Sequence, residues 1–323
     1  MVATAYSLAL HAAATKPPGG RSTMSREQRQ ALDDTLRAAP QAGGPVSVEQ
    51  MRQGFARFMS QFPVPEGVTR TPIELGGRGA VRVDPSAAVR PGIILYFHGG
   101  SFSLGSPETA MALTAHLVER TGVPAVSVDY RLAPEHPFPA AINDCLSAYR
   151  DLLDHEVDPA SIVFAGDSAG GGLAVTTTLA ARDAGLPVPA GIVAFSPGLD
   201  HTRTGASMTS KEGIDPLFTR AGMEHTGTMY LDGHDPEQPL LAPAVHADLR
   251  GFPPMLLQVG TNELLLDDAV RLADLARAAG TDVILDVVAD VPHVFPAFVG
   301  VIDEADEAIA RAALFIEQRL RIR

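Results

Sequence analysis

Short apolar runs alternate along this chain with longer stretches in which apolar residues return every three or four positions. Runs at residues 92–97, 124–128, 161–165, 191–195, 255–259 and 283–288 have the length and the β-branched content of buried strands. Helical spacing follows at residues 108–120, in a segment ending near 154, and at 173–182, 268–279 and 303–319. Earlier in the chain, residues 69–75 and 80–83 flank Gly76, Gly77, Arg78 and Gly79, a hairpin signal. Strands alternating with helices predict an α/β protein: a mixed, mostly parallel central sheet flanked by helices on both faces.

The flanking regions are less regular. Residues 1–24 read as an irregular start, residues 25–39 as a polar helix with Ser25 as its N-cap, and residues 40–45 as a Pro/Gly break. Residues 47–62 place Met51, Phe55, Phe58, Met59 and Phe62 at helical spacing. Such a stripe suits either core packing or one wall of a lid over an apolar substrate. Residues 196–254 show no clear period and read as irregular, and no internal repeat or low-complexity tract is present.

Composition narrows the function. The chain has 323 residues, 46% of them hydrophobic and 20% charged, enough for a sizeable core in one large or two small domains. With 25 basic against 38 acidic residues its formal charge is −13, which argues against a nucleic-acid or anionic-membrane surface. Cys145 is the only cysteine, so no intramolecular disulfide can form; it shares a helical face with Ile142, Leu146 and Tyr149 and reads as core. No apolar run reaches the ~18 residues of a membrane span. Residues 2–14 are apolar, but no Lys or Arg precedes them as in a secretory signal, so the expected location is cytoplasmic.

The chemistry is concentrated after the run at 161–165. It stops at Gly166, and Gly166, Ser168 and Gly170 form G-x-S-x-G, with a helix-like segment beyond. Strand, tight turn and helix with a serine at the apex is the arrangement that exposes a nucleophile, and the N–H of Ala169 would lie at the helix N-terminus, where it can bind an oxyanion. A nucleotide loop is disfavoured: there is no G-x-G-x-x-G and no Lys follows the glycines. His98, Gly99, Gly100, Ser101 and Phe102 follow the strand at 92–97, where small residues let backbone N–H groups face a ligand.

A serine hydroxyl needs a neutral imidazole to take its proton and a carboxylate to orient that imidazole. Both appear later in the chain. His293 follows the strand at 283–288, and Glu263 stands at the tip of the strand at 255–259, with Asp267 and Asp268 where the next helix begins. An acid at a helix start more often serves as a cap, so Glu263 is favoured as the acid and Asp267 is the alternative. No H-x-x-x-H and no cysteine pair occurs, so neither a metal site nor a cofactor is expected. Asp200 and His201 adjoin, but loop histidines beside aspartates are common; His225 and His234 read as surface residues.

Taken together, four motifs resemble the hormone-sensitive-lipase-like α/β-hydrolases, the bacterial family IV esterases. They are His98-Gly99-Gly100; the run from Asp129-Tyr130-Arg131 through Pro139-Ala140-Ala141; Gly166-Asp167-Ser168-Ala169-Gly170-Gly171; and His293-Val294-Phe295. The match covers about residues 68–320, and the second motif is very specific. The resemblance implies an α/β-hydrolase fold with Ser168 as nucleophile, His293 as base and Glu263 as acid. It also implies an oxyanion hole built from Gly100, Ser101 and Ala169. Two positions depart from the family pattern: Ser101 replaces a third glycine and adds a side chain beside the acyl pocket, and Glu263 replaces an aspartate.

The family also carries a helical cap. Residues 1–65 correspond to its N-terminal helices, and residues 66–323 to the catalytic domain with a cap insertion at about 200–240. Phe55, Phe58, Met59, Met208, Leu217 and Phe218 thereby become candidate pocket walls. The implied function is a serine carboxylesterase acting on short- to medium-chain acyl esters, its partner a small-molecule ester. A lactonase or amidase on the same residues is the alternative. A non-catalytic receptor of the gibberellin-receptor type lacks the histidine that His293 supplies. Dimerisation through an edge strand occurs in the family, which makes a homodimer a further expectation.

Overall fold

The buried runs pair into one eight-stranded sheet in the computed structural model, which describes residues 21–38 and 46–321. The expected irregular start falls mostly outside those residues, and the Pro/Gly break at 40–45 wholly so. The strands are β1 (Thr69–Leu75), β2 (Arg78–Asp84), β3 (Ile93–Phe97), β4 (Ala125–Val128), β5 (Ile162–Asp167), β6 (Gly191–Phe195), β7 (Met255–Asn262) and β8 (Val283–Pro292). Their order across the sheet is β1-β2-β4-β3-β5-β6-β7-β8. The hairpin β1–β2 and the β2–β4 pair are antiparallel, and every pair from β4 to β8 is parallel.

The helices among the described residues are α1 (Arg21–Arg37), α2 (Val48–Met59), α3 (Met111–Thr121), α4 (Ala140–Asp154), α5 (Ala169–Asp183), α6 (Ser207–Ser210), α7 (Arg220–Leu231), α8 (Pro243–His246), α9 (Leu266–Ala278) and α10 (Asp303–Arg319). Successive strand residues point to opposite faces, and the core divides accordingly. Leu95, Phe97, Phe164, Ile192 and Leu257 pack with α4, α5 and α9. Ile94, Tyr96, Val163, Val193 and Leu256 pack with α3 and α10. Cys145 is buried on α4 in the first of these clusters.

Two expectations are corrected. Helix α1 starts at Arg21, so Ser25 is not its N-cap; the Ser25 hydroxyl instead bonds Glu304 on α10. The segment read as irregular contains α7, capped by Thr219, whose side chain accepts the Gly222 N–H. Only Met223, Gly227 and Tyr230 are buried on α7, and its two glycines and two threonines weaken the helical signal.

The central strand-to-helix turn sets the geometry of the site. Ser168 sits between β5 and α5 at φ 52° and ψ −118°, a conformation that costs a non-glycine residue roughly 1–3 kcal/mol. The first turn of α5 lies hard against the end of β3: a Cβ on Gly170 would stand 1.9 Å from the Phe97 carbonyl oxygen, and one on Gly166 2.4 Å from the Gly170 carbonyl. Gly170→Ala is therefore expected to cost at least about 3 kcal/mol of stability by forcing helix and strand apart. A drop in the urea midpoint of unfolding measures it; an unchanged midpoint would show that the turn can relax.

Candidate active site

Because β5 to β8 run parallel, the residues that follow β5, β7 and β8 emerge at the same edge of the sheet. Ser168 follows β5, Glu263 follows β7 and His293 follows β8. All three are buried. The His293 Nε2 lies 2.9 Å from the Ser168 Oγ, and its Nδ1 lies 2.7 Å from a Glu263 carboxylate oxygen. The other Glu263 oxygen accepts hydrogen bonds from the Ser196 hydroxyl at 2.8 Å and from the Gly260 N–H at 2.7 Å. Ser196 Oγ in turn accepts the Val294 N–H at 2.8 Å, so one hydroxyl ties the acid to the loop bearing the imidazole. The added methylene of Glu263 is accommodated with both of its oxygens engaged.

Burial alone would push the His293 pKa down, but the adjacent Glu263 carboxylate, by charge and by hydrogen bond, outweighs it and leaves the pKa raised above the ordinary imidazole value. The competing acids are occupied elsewhere. Asp267 accepts the Ser207 N–H at 2.9 Å, and its own N–H donates to the Ser207 hydroxyl. Asp268 accepts the N–H groups of Leu199 and Asp200. Of the acids considered from the sequence, the structure brings Glu263 to His293.

The loop after β3 faces Ser168. Gly100, at φ 122°, and Ser101, at φ 53°, turn it, and the N–H groups of Gly100, Ser101 and Ala169 donate no hydrogen bond within the described residues. Unpaired donors beside a serine nucleophile are what an oxyanion requires. The Asp129 to Ala141 motif braces this loop from beneath. The Tyr130 hydroxyl donates to the His98 carbonyl at 2.6 Å, its ring stacks on the His98 imidazole, and the Ala133 N–H donates to the Phe102 carbonyl. Burial pushes His98 down to about 4, so it stays neutral. Asp167 accepts from the Tyr96 hydroxyl at 2.8 Å and from the Gly99 N–H at 3.1 Å, which ties the loop to the turn that holds Ser168.

Two cavities meet at Ser168 and Ser101. The larger, about 230 Å³, is lined by Phe55, Phe58, Met59, Phe62, Leu217 and Phe298, and His293 borders it. The smaller, about 30 Å³, is lined by Phe102, Gly198, His201, Arg203, Met223 and Gly227. Phe218 borders both, and its ring meets His293 edge-on at 4.8 Å. Met208, expected on a pocket wall, is instead buried against Met223, Leu264 and Leu265, because Ser207 anchors α6 to the start of α9.

Sequence reasoning missed Ser196, Asp215 and Arg203, and set His201 aside as one of the common loop histidines beside an aspartate. Asp215 accepts the N–H groups of Leu217, Phe218 and Leu264, fixing the segment that carries Phe218 to the Glu263 loop. None of these belongs to a spacing pattern, although a serine directly after a buried strand is a weak pointer to Ser196. His225 and His234 are exposed, as expected. Among the described residues no cluster of three His, Cys, Asp or Glu side chains could hold a metal ion, and no helix is long and apolar enough to cross a membrane.

Residues 94–297 match the family model of the α/β hydrolase fold, and the chain belongs to that family. An acetyl-hydrolase of Streptomyces hygroscopicus is 43% identical over 69% of this chain and 74% of its own length. An esterase of Acinetobacter venetianus is 34% identical over 88% and 93%. Among solved structures, an esterase from the bacterial hormone-sensitive lipase family superposes with a TM-score of 0.85 at 35% identity, covering 94% of this chain and all (100%) of that one. These relatives place the chain in the hormone-sensitive-lipase branch.

The His293 environment can be measured directly. An NMR titration is expected to put its midpoint above the ordinary 6.5, and Glu263→Gln is expected to move it downward, since desolvation then loses its main opponent. A midpoint that Glu263→Gln leaves in place would show that another group holds the ring.

Proposed function

We propose that this chain is a serine carboxylesterase that hydrolyses short- to medium-chain acyl esters through an acyl-enzyme. The observation that carries the reading is the unbroken hydrogen-bonded line from Glu263 through His293 to Ser168, set beside three unengaged N–H donors. Esterase and acetyl-hydrolase relatives support it.

Ser168 Oγ attacks the ester carbonyl carbon while His293 Nε2 takes its proton, and Glu263 holds the ring through Nδ1 and stabilises the imidazolium. The tetrahedral oxyanion accepts from Gly100, Ser101 and Ala169, each donor lowering the barrier by about 3–4 kcal/mol. Collapse breaks the carbon–oxygen bond to the alcohol, which leaves with the proton from His293. Water then attacks the acyl-enzyme by the same proton route, releasing the acid and restoring Ser168.

Apolar substrate surface has a place to go. The 230 Å³ cavity, walled by aromatic side chains, holds a chain of several carbons, each buried CH₂ contributing about 0.8 kcal/mol. Helix α2 supplies Phe55, Phe58 and Met59, and the segment after α6 supplies Leu217 and Phe218. These two regions act as the cap over the catalytic domain.

Ser168→Ala is expected to lower kcat for 4-nitrophenyl butyrate by a factor of about 10⁶; retained activity of wild-type order would reject Ser168 as nucleophile. Glu263→Gln should damage kcat far more than Asp267→Asn, and the reverse ranking would move the acid role to Asp267. A fluorophosphonate probe should label Ser168 in the wild-type protein, which a non-catalytic receptor would leave unmodified. Lactones and amides assayed beside the esters measure the breadth of the same chemistry.

A further inference from the structure

The smaller cavity beside Ser168 contains a charge that the proton chemistry does not use. Arg203, at φ 56°, lines it, with a guanidinium nitrogen 3.9 Å from where a Cβ on Gly227 would stand. That guanidinium makes no hydrogen bond and no ion pair among the described residues. Three acids lie within electrostatic reach, Asp268, Asp200 and Glu224, and each is already engaged. Asp200 pairs with Arg271 at 2.9 Å, Glu224 pairs with Arg220 at 2.9 Å, and Asp268 accepts two backbone N–H groups at 2.7 and 2.9 Å. A guanidinium has five donors and stays protonated even when burial lowers its pKa, as it does here. With no protein acceptor on it among the described residues, the guanidinium keeps its donors for the acceptor atoms of a bound anion.

His201 lies beside it. Its ring packs against Phe102 and Tyr230, and its Nδ1 is buried without a partner. Burial pushes His201 down to about 3, so the ring is neutral and carries one N–H to donate. Gly198 lines the same space. No positive φ requires the glycine, and a Cβ there would meet only Leu265 at 3.9 Å and the Ser168 carbonyl at 4.0 Å, ordinary contact distances. The cavity of about 30 Å³ holds a few heavy atoms beyond a carbonyl carbon bound at Ser168.

The two cavities also differ in their relation to His293, which borders the larger and not the smaller. The leaving alcohol takes its proton from that ring, so the alcohol lies toward the large apolar cavity and the acyl group toward the small one. We propose that the small cavity is an acyl subsite for a short acyl group ending in a carboxylate, gripped by Arg203 with His201 as second donor, so that half-esters of short dicarboxylic acids with apolar alcohols are preferred substrates. The inference rests on the esterase reading and sets the acyl group at the short end of its range. In the reaction, the Ser168 Oγ–acyl bond forms as the acyl–alkoxy bond breaks. The alcohol departs with the His293 proton, and water releases the dicarboxylate.

The test compares monohexyl succinate with the hexyl ester of succinamic acid, equal in shape and different in charge, by kcat/KM for hexanol release. A protein of formal charge −13 would ordinarily disfavour the anion. The expected wild-type ratio of succinate to succinamate ester is above one, falling by about tenfold to a hundredfold in Arg203→Gln. Arg203→Lys, which keeps the charge and loses the planar fork, should lie between, and it carries the test if Arg203→Gln does not fold. A wild-type ratio at or below one, or a ratio that neither variant moves, overturns the subsite. Failure of the wild type to hydrolyse either ester, or any neutral hexyl ester, would instead strike the esterase reading.

Discussion

The first turn of α5 and the last residue of β3 approach so closely that no side chain fits between them. A Cβ on Gly170 would stand 1.9 Å from the Phe97 carbonyl oxygen. That contact sets Ser168 at the apex of its turn, and it brings the loop that begins at His98 alongside the same serine. Gly100, Ser101 and Ala169, whose N–H groups donate no hydrogen bond among the described residues, are brought around Ser168 by that packing of strand against helix. α5 is buried from Ala169 to Leu179, so a rigid core, rather than a surface loop, carries Ser168.

Glu263 and His293 form a buried pair on top of that frame, and burying charge is costly unless the remaining lone pairs are satisfied. Here they are. One Glu263 oxygen serves His293, and the other takes the Ser196 hydroxyl and the Gly260 N–H. Because Ser196 also receives the Val294 N–H, the tip of β7 and the turn after β8 are held together by a residue from β6's end.

The legible parts of the sequence were those with a period or a compact motif. Strand runs buried on both faces and the G-x-S-x-G turn are local signals, and the order of serine, acid and histidine followed from the chain. The acid was harder to assign: Glu263 and Asp267 lie four residues apart, and only the fold shows that Ser207 occupies Asp267. Ser196, Asp215 and Arg203 were invisible for the same reason, since each acts on groups distant in sequence. Helix α7 escaped because its glycines and threonines carry little helical propensity, while Met223, Gly227 and Tyr230 secure it by packing. The helical stripe from Phe55 to Phe62 could be read as core or as lid, and the structure uses it for both: Phe62 is buried in a cluster with Phe298, and the whole stripe borders the large cavity.

Left-handed backbone is concentrated around this site. Of the ten non-glycine residues with positive φ among the described residues, Ser101, Phe102, Ser168, Ser196, Arg203 and Val294 all border the two cavities or the Glu263–His293 pair. Val294, β-branched at φ 51°, is the most unfavourable type for that region. At roughly 1–3 kcal/mol apiece such conformations add up to a local deficit comparable with the net stability of a whole domain. The sheet and its two helical layers must carry that deficit. Evolution toward heat resistance in this scaffold would thus find its cheapest gains at the very positions where relaxation dismantles the reaction centre, and tolerance to heat would have to be won elsewhere in the molecule.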